Sequence, residues 1–292
     1  MVSPSSTEAL SPRSGLLAVR DGLRNMDPRY LVAFLVTLVL VVGQYRYAIL
    51  GGYDRLALAL GTCVGAELVL SLFVRGRIAN LQSAYISGIS LSLLTKPQGG
   101  FLWPFALGGV LAISSKYALQ YRNNHLWNPT NLAISLLLLA APDRVSVLSH
   151  QWGNDLATNL VIWAFGLVIV SRVRVLHITL TYVTSFLLLG ALRSALLGQA
   201  LLPEIAPITG PMYQLFIFFM VTDPRTTVSS RRGRMLVVVL VALVEAILRL
   251  ASDLHVPIPL AMSAAPAILA LAIVGPVAKF MDLHRLARPG VP

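Results

Sequence analysis

Apolar runs of roughly 15 to 22 residues recur along most of the chain, separated by short polar or basic breaks. No other feature constrains the fold as much. An α-helix rising 1.5 Å per residue needs about 20 apolar residues to cross ~30 Å of hydrocarbon, and these runs have about that length. They fall near 31–50, 55–74, 80–95, 102–121, 128–141, 156–171, 175–197, 211–222, 234–250 and 258–280. Only 12% of the residues are charged and the mean hydropathy is +0.75, far from the roughly 25% charged of soluble domains. The pattern predicts an all-α polytopic membrane protein of about ten transmembrane helices. The runs that start at 80, 128 and 211 are short, as half-helices or broken helices are.

Charge supplies the orientation. The net charge is +11, but the basic residues sit between apolar runs and form no patch of the kind that binds nucleic acid. With ten spans and a cytoplasmic N-terminus, inner loops and span ends hold seventeen of the 23 lysines and arginines, and outer ones hold six. Both termini are therefore expected on the cytoplasmic side of the membrane. The single cysteine, Cys63, lies within an apolar run and can form neither an intramolecular disulfide nor a multi-cysteine metal site. Residues 1–29 lack the apolar core and cleavage pattern of a signal peptide and read as a cytoplasmic tail.

The two halves echo one another. YISGISLSLLTKP (Tyr85 to Pro97) and YQLFIFFMVTDP (Tyr213 to Pro224) each end an apolar segment in threonine, a charged residue and proline, about 127 residues apart. His125 and Pro129 open the fifth run and His255 and Pro259 the tenth, with the same four-residue spacing. Five spans per half would insert the copies in opposite directions. Short, proline-interrupted segments at matching positions of two halves point to a central site. The expected organisation is a tail at 1–29, a first five-helix repeat at 30–142, an outer connecting loop at 143–155, a second, inverted repeat at 156–280 and a cytoplasmic tail at 281–292.

HLWNPTN, residues 125–131, is the most polar interruption. Asparagine is a preferred N-cap and proline is well placed at the first helical position, so Asn128 and Pro129 mark a helix start. Such a break must be buried in protein or line a cavity, and the amides it frees could seat an anion or an electron-rich ring. Alternatively, Asn128 caps its own helix and Asn131 bonds a neighbour. Thr222, Asp223 and Pro224 repeat the logic, although Asp223 could instead pair with Arg225 or with Arg231, Arg232 and Arg234. Lys96 and Lys116 lie at or near span ends, where lysine snorkels. Glu67 lies inside the second span, and an intramembrane carboxylate is a candidate for proton or cation handling. Glu245 and Arg249, four apart on one helix, read as a local ion pair. His177 reads as a hydrogen-bonded core residue. No phosphate loop, HExxH or paired cysteines occur.

Taken in order, SGISLSLLTKP, WPFALGGVLAISSKYALQYRNNHLWNPTNLAISLLLLAAP and FIFFMVTDPRTTVSSRRGRMLVVVLVALVEAILR resemble the RnfD/NqrB family, the membrane subunits of ion-pumping respiratory complexes, over roughly residues 30–280. The resemblance implies two inverted five-helix repeats in a fold similar to that of urea transporters, and flavin-based electron transfer, with FMN or riboflavin as cofactor, beside other membrane or redox subunits. Lys116, Asn128, Pro129, Thr222, Asp223 and Pro224 fall on the family's motifs, and Thr130 and Asn131 complete the NPTN cofactor-binding candidate. Members with covalent FMN attach it at a Ser-Gly-Ala-Thr-like motif. Here that region reads SHQWGNDLATN and keeps only Ala157-Thr158, so covalent attachment is not expected. Short relatives of this kind resemble the UnbU-type membrane proteins of enediyne biosynthetic clusters. A channel or transporter for a small solute or ion on the same fold, and a cofactor-less scaffold for a biosynthetic partner, are the competing expectations.

Overall fold

The computed structural model describes residues 28–147 and 156–287. Most of the N-terminal tail, residues 148–155 of the connecting loop and the last five residues lie outside the described residues. Of the described residues 75% are helical, and among them five helices are long and apolar enough to cross a membrane. It is an all-α, multi-pass membrane protein. The five long helices are α1 (Pro28–Tyr47), α2 (Asp54–Arg75), α7 (Leu176–Leu197), α10 (Arg231–Asp253) and α12 (Pro266–Arg285). Between them lie shorter ones: α3 (Gln82–Leu94), α4 (Trp103–Ala118), α5 (Pro129–Ala140) and α6 (Leu156–Arg172). Three pieces of five residues complete the set, α8 (Leu201–Ile205), α9 (Pro211–Leu215) and α11 (Leu260–Ala264).

The short helices end where the sequence removes a backbone donor or offers a better partner. α3 stops at Leu94 because the next residues, Thr95–Pro97, are extended as strand β1. β1 pairs antiparallel with β4 (Val145–Val147), Thr95 opposite Val147 and Pro97 opposite Val145. The buried Arg55 of α2 adds donors, one guanidinium nitrogen to the Thr95 carbonyl at 3.0 Å and the other to that of Ile49 at 2.5 Å. Carbonyls left over at a helix end in an apolar bundle are thus bonded rather than orphaned.

In the second half α9 runs straight into a π-helical turn, Phe216–Met220, and then into the Thr222-Asp223-Pro224 turn. A π-turn places one extra residue in the helix and re-aims its side chains. The tenth run opens directly after Pro259, as expected, with the short α11, and is then interrupted at Ala265, where Pro266 starts a new helix. Inside α12, Pro276 cannot donate to the carbonyl of Ala272. The indole N–H of Trp127 bonds that carbonyl instead, at 3.0 Å.

Two glycines set distances that matter to the site. A Cβ on Gly88 would lie 2.8 Å from Leu60 Cα, so α3 rests directly on the α2 backbone. A Cβ on Gly166 would lie 2.5 Å from the Phe218 ring. Glycine there lets α6 pass over the π-turn, while Trp163 meets the same ring edge-on at 5.1 Å.

Candidate functional site

α5 begins as its sequence dictates. Asn128 is extended and its side-chain oxygen accepts the Asn131 amide at 3.1 Å, with Pro129 in the first turn. The remaining half of the Asn128 side chain reaches across 95 residues of sequence: its amide nitrogen donates to Asp223 Oδ2 at 3.1 Å. Asp223 Oδ1 in turn accepts the backbone N–H of Arg225 at 3.0 Å and fixes the turn. The plainer of the two expectations is what the structure shows, Asn128 capping its own helix and Asn131 bonding a neighbour, and the Asn128–Asp223 contact was not read from the sequence. The expected ion pair of Asp223 with arginine side chains is replaced by this amide contact, because the turn aims the carboxylate at Asn128.

These segments enclose a cavity of about 220 Å³. Lys116, Asn128, Pro129, Thr130, Thr222, Asp223 and Pro224 all line it. Asn131 does not: it is buried behind the wall and donates to the Ile268 carbonyl of α12 at 3.0 Å. Thr222 bonds back to the Phe218 carbonyl at 2.7 Å, closing the turn that follows the π-segment. The rest of the wall was not read from the sequence. It includes Phe218 and Phe219 of the π-turn, Ile169 and Val170 of α6, and Ser83, Ser87 and Ser90 of α3. The serines recur at i, i+4 and i+7 and so share one helix face, a signal the sequence did contain.

Lys116 does not snorkel. It is buried, and its ammonium donates to Glu67 Oε2 at 3.2 Å and to Ser83 Oγ at 3.0 Å. The other Glu67 oxygen accepts the Tyr117 hydroxyl at 2.7 Å. Glu67 is thus one member of a triad from α2 and α4. Lys116 faces the cavity, and Tyr117 faces a second, wider space of about 680 Å³.

That vestibule lies at the mouth of the cavity and shares His125, Pro224 and Arg225 with it. Part of its rim is a hairpin, β2 (Gln120–Tyr121) and β3 (Asn124–His125), turned by Arg122 and Asn123 with φ of 52° and 62°. Two successive left-handed residues are the signature of a type I′ turn, whose twist suits adjacent strands. Burial and the nearby Arg225 guanidinium push the His125 imidazole below its usual pKa, with Asp223 opposing them.

A separate polar cluster lies in the second half. Buried Glu245 accepts the Tyr182 hydroxyl at 2.5 Å, the Tyr213 hydroxyl and Arg249 Nε at 3.1 Å. Arg249 also bonds the Tyr213 oxygen, while Arg193 pairs with Glu204 and Asp253. The expected Glu245–Arg249 pair is present, inside a larger network. His177, expected to be hydrogen-bonded, is half-buried in the first turn of α7 with its Nε2 unpartnered. Ala157-Thr158 lies in the first turn of α6.

Among the described residues, no group of three or more His, Cys, Asp or Glu could hold a metal ion. Comparison with protein-family profiles finds no match for the chain, and comparison with curated proteins finds none.

Proposed function

We propose that the chain is an electron-transport subunit of RnfD/NqrB type whose cavity holds a flavin without a covalent bond. The observation that carries this reading is the Asn128–Asp223 hydrogen bond, which joins two polar motifs from opposite halves at the mouth of one largely apolar cavity. The residues suit the group. Phe218 and Phe219 offer aromatic surface, the serine face of α3 and Thr130 offer hydroxyls, and cavity and vestibule together reach the roughly 300–1,000 Å³ of small-molecule sites. A bound flavin would supply one- and two-electron chemistry. The protein's part would be to exclude water with α6 and the π-turn and to hold the Lys116 ammonium, tethered by Glu67, against the ring. Tyr117 and Glu67 form a hydrogen-bonded link from the vestibule to Lys116, suited to supplying a proton to a group in the cavity.

In this reading ten segments span a bacterial cytoplasmic membrane as two inverted five-helix repeats, with both termini in the cytoplasm, beside other redox or biosynthetic subunits. Supporting it, short or broken helices fall at matching places, α3 with α9 and its π-turn, and α5 with α11. The visible absorbance of protein purified from a flavin-producing host tests the reading. A flavin spectrum that is lost from the protein on denaturation supports it, and colourless protein that also fails to take up added riboflavin or FMN defeats it. The vestibule favours a second reading, a route for a small solute or ion. Liposomes holding the protein would then be leakier to small polar solutes or ions than empty ones.

A further inference from the structure

The vestibule has a chemistry of its own. Arg75 from the end of α2, Arg225 after the TDP turn and Lys279 from α12 converge on it, and its lining contains no carboxylate. Basic residues at helix ends ordinarily lie apart in solvent, whereas these three come from distant parts of the chain to one concave space. Lys279 is buried and spends one donor on the Thr227 carbonyl, at 2.7 Å. An ammonium has three donors, so two remain. Neutral donors join them: Asn123 and Asn124 of the hairpin also line the space. The carboxylates on neighbouring segments are held elsewhere, Glu67 by Lys116 and Tyr117, Asp223 by Asn128, and Asp282 by Ser229.

Cations and amide donors that line a space with no carboxylate of its own form a site for a compact anion rich in acceptor oxygens. The apolar cavity opens beside it, with Arg225 and His125 on both walls. We propose that the vestibule binds the phosphate of a phosphate monoester whose flat or apolar body occupies the cavity. This rests on reading the cavity as a ligand seat. It makes the ligand a phosphorylated one, FMN rather than riboflavin if it is a flavin, and a lipid phosphate otherwise.

The test uses the full chain purified in a neutral detergent. Riboflavin and FMN, which differ by the phosphate, are titrated by flavin fluorescence quenching. Dodecyl phosphate is followed by the thermal shift it produces. FMN should bind about ten-fold more tightly than riboflavin at low salt, and the gap should shrink as salt screens the charges. Arg75→Gln and Arg225→Gln should each narrow it by about three-fold or more, as expected from losing one charge-assisted contact. Using two arginine variants guards against one that fails to fold. Dodecyl phosphate should raise the melting temperature in a way that both substitutions weaken.

If riboflavin binds as well as FMN and dodecyl phosphate has no effect, the phosphate seat is refuted while the flavin reading stands. A gap that neither substitution alters also refutes it, because the phosphate then lies elsewhere. If neither flavin binds but dodecyl phosphate stabilises through the arginines, the seat stands with a lipid phosphate as its ligand, and the flavin reading falls.

Discussion

Each half of the molecule buries a glutamate within its helices, and the two glutamates live in different surroundings. Glu245 is enclosed: two tyrosine hydroxyls and an arginine saturate it, and the residual space beside it is about 10 Å³. Glu67 is also buried, but its partners lead outward, Lys116 to the cavity and Tyr117 to the vestibule. A saturated network with no room around it serves packing, because every partner is fixed and nothing can enter. A charge pair placed between two cavities can respond to what enters them. Intramembrane charge is a default pointer to function, yet here the setting of the partners separates a carboxylate enclosed by packing from one placed between two cavities.

The contrast is most exposed by removing the carboxylates. Glu245→Ala leaves two hydroxyls and a guanidinium buried without their partner, and a broken buried pair of this kind costs about 3–5 kcal/mol. Thermal unfolding in detergent should show the loss, with flavin affinity falling only as far as folded protein is lost. Glu67→Gln also leaves the buried Lys116 ammonium without its counter-charge, but one hydrogen-bonding oxygen survives, so its cost should fall at the low end of that range, about 3 kcal/mol. Its larger effect should be on the cavity, as a slower reduction of bound flavin in rapid mixing. If the two variants were equally stable and equally slow, the division of labour would be wrong.

Asn128→Ala comes next. Loss of the helix cap costs about 1 kcal/mol, and loss of the Asp223 contact should loosen the TDP turn. Flavin affinity should drop by about ten-fold, as one good charge-assisted bond allows. Asn128→Ser, which restores a cap but not the link, should recover stability without recovering affinity.

The smallest effect is that of His125 with pH. Its folded pKa is depressed by burial and by Arg225, so the unfolded chain binds a proton more readily. The stability it contributes is present above about pH 6.5, the unfolded value, and is lost as pH falls through the folded value. Thermal unfolding of the wild type should weaken across that acid window more than that of His125→Gln. A phosphate ligand should bind more tightly over the same window, since a protonated imidazole adds a cation to the vestibule.

How far the sequence foretold this can be seen in particular residues. Helix positions follow from run length, and the start of α5 follows from Asn128 and Pro129, because these signals are local. TKP and TDP look alike in sequence but differ in structure. Thr95–Pro97 finds a strand partner in Val145–Val147, whereas Thr222 to Pro224 closes on itself through the Asp223 carboxylate. Strand pairing depends on a contact 50 residues distant, which no local pattern encodes. The same holds for Lys116, whose partner Glu67 lies 49 residues away. Pro259 opens the tenth run as expected, but the further interruption at Ala265, where Pro266 starts the long helix, was not read from the sequence. The hairpin turn was hidden because arginine and asparagine, not glycine, occupy its left-handed positions.

The most direct test of the central claim, that the cavity between the NPTN and TDP motifs holds a noncovalent flavin, is the flavin content of purified protein beside that of Ser90→Trp. Ser90 lines the cavity on the serine face of α3, and an indole there would fill it. The account predicts stoichiometric flavin released on denaturation of the wild type, an unmodified polypeptide mass, and a folded but flavin-free variant. Equal flavin in both proteins, or flavin that stays attached to the denatured chain, would contradict it.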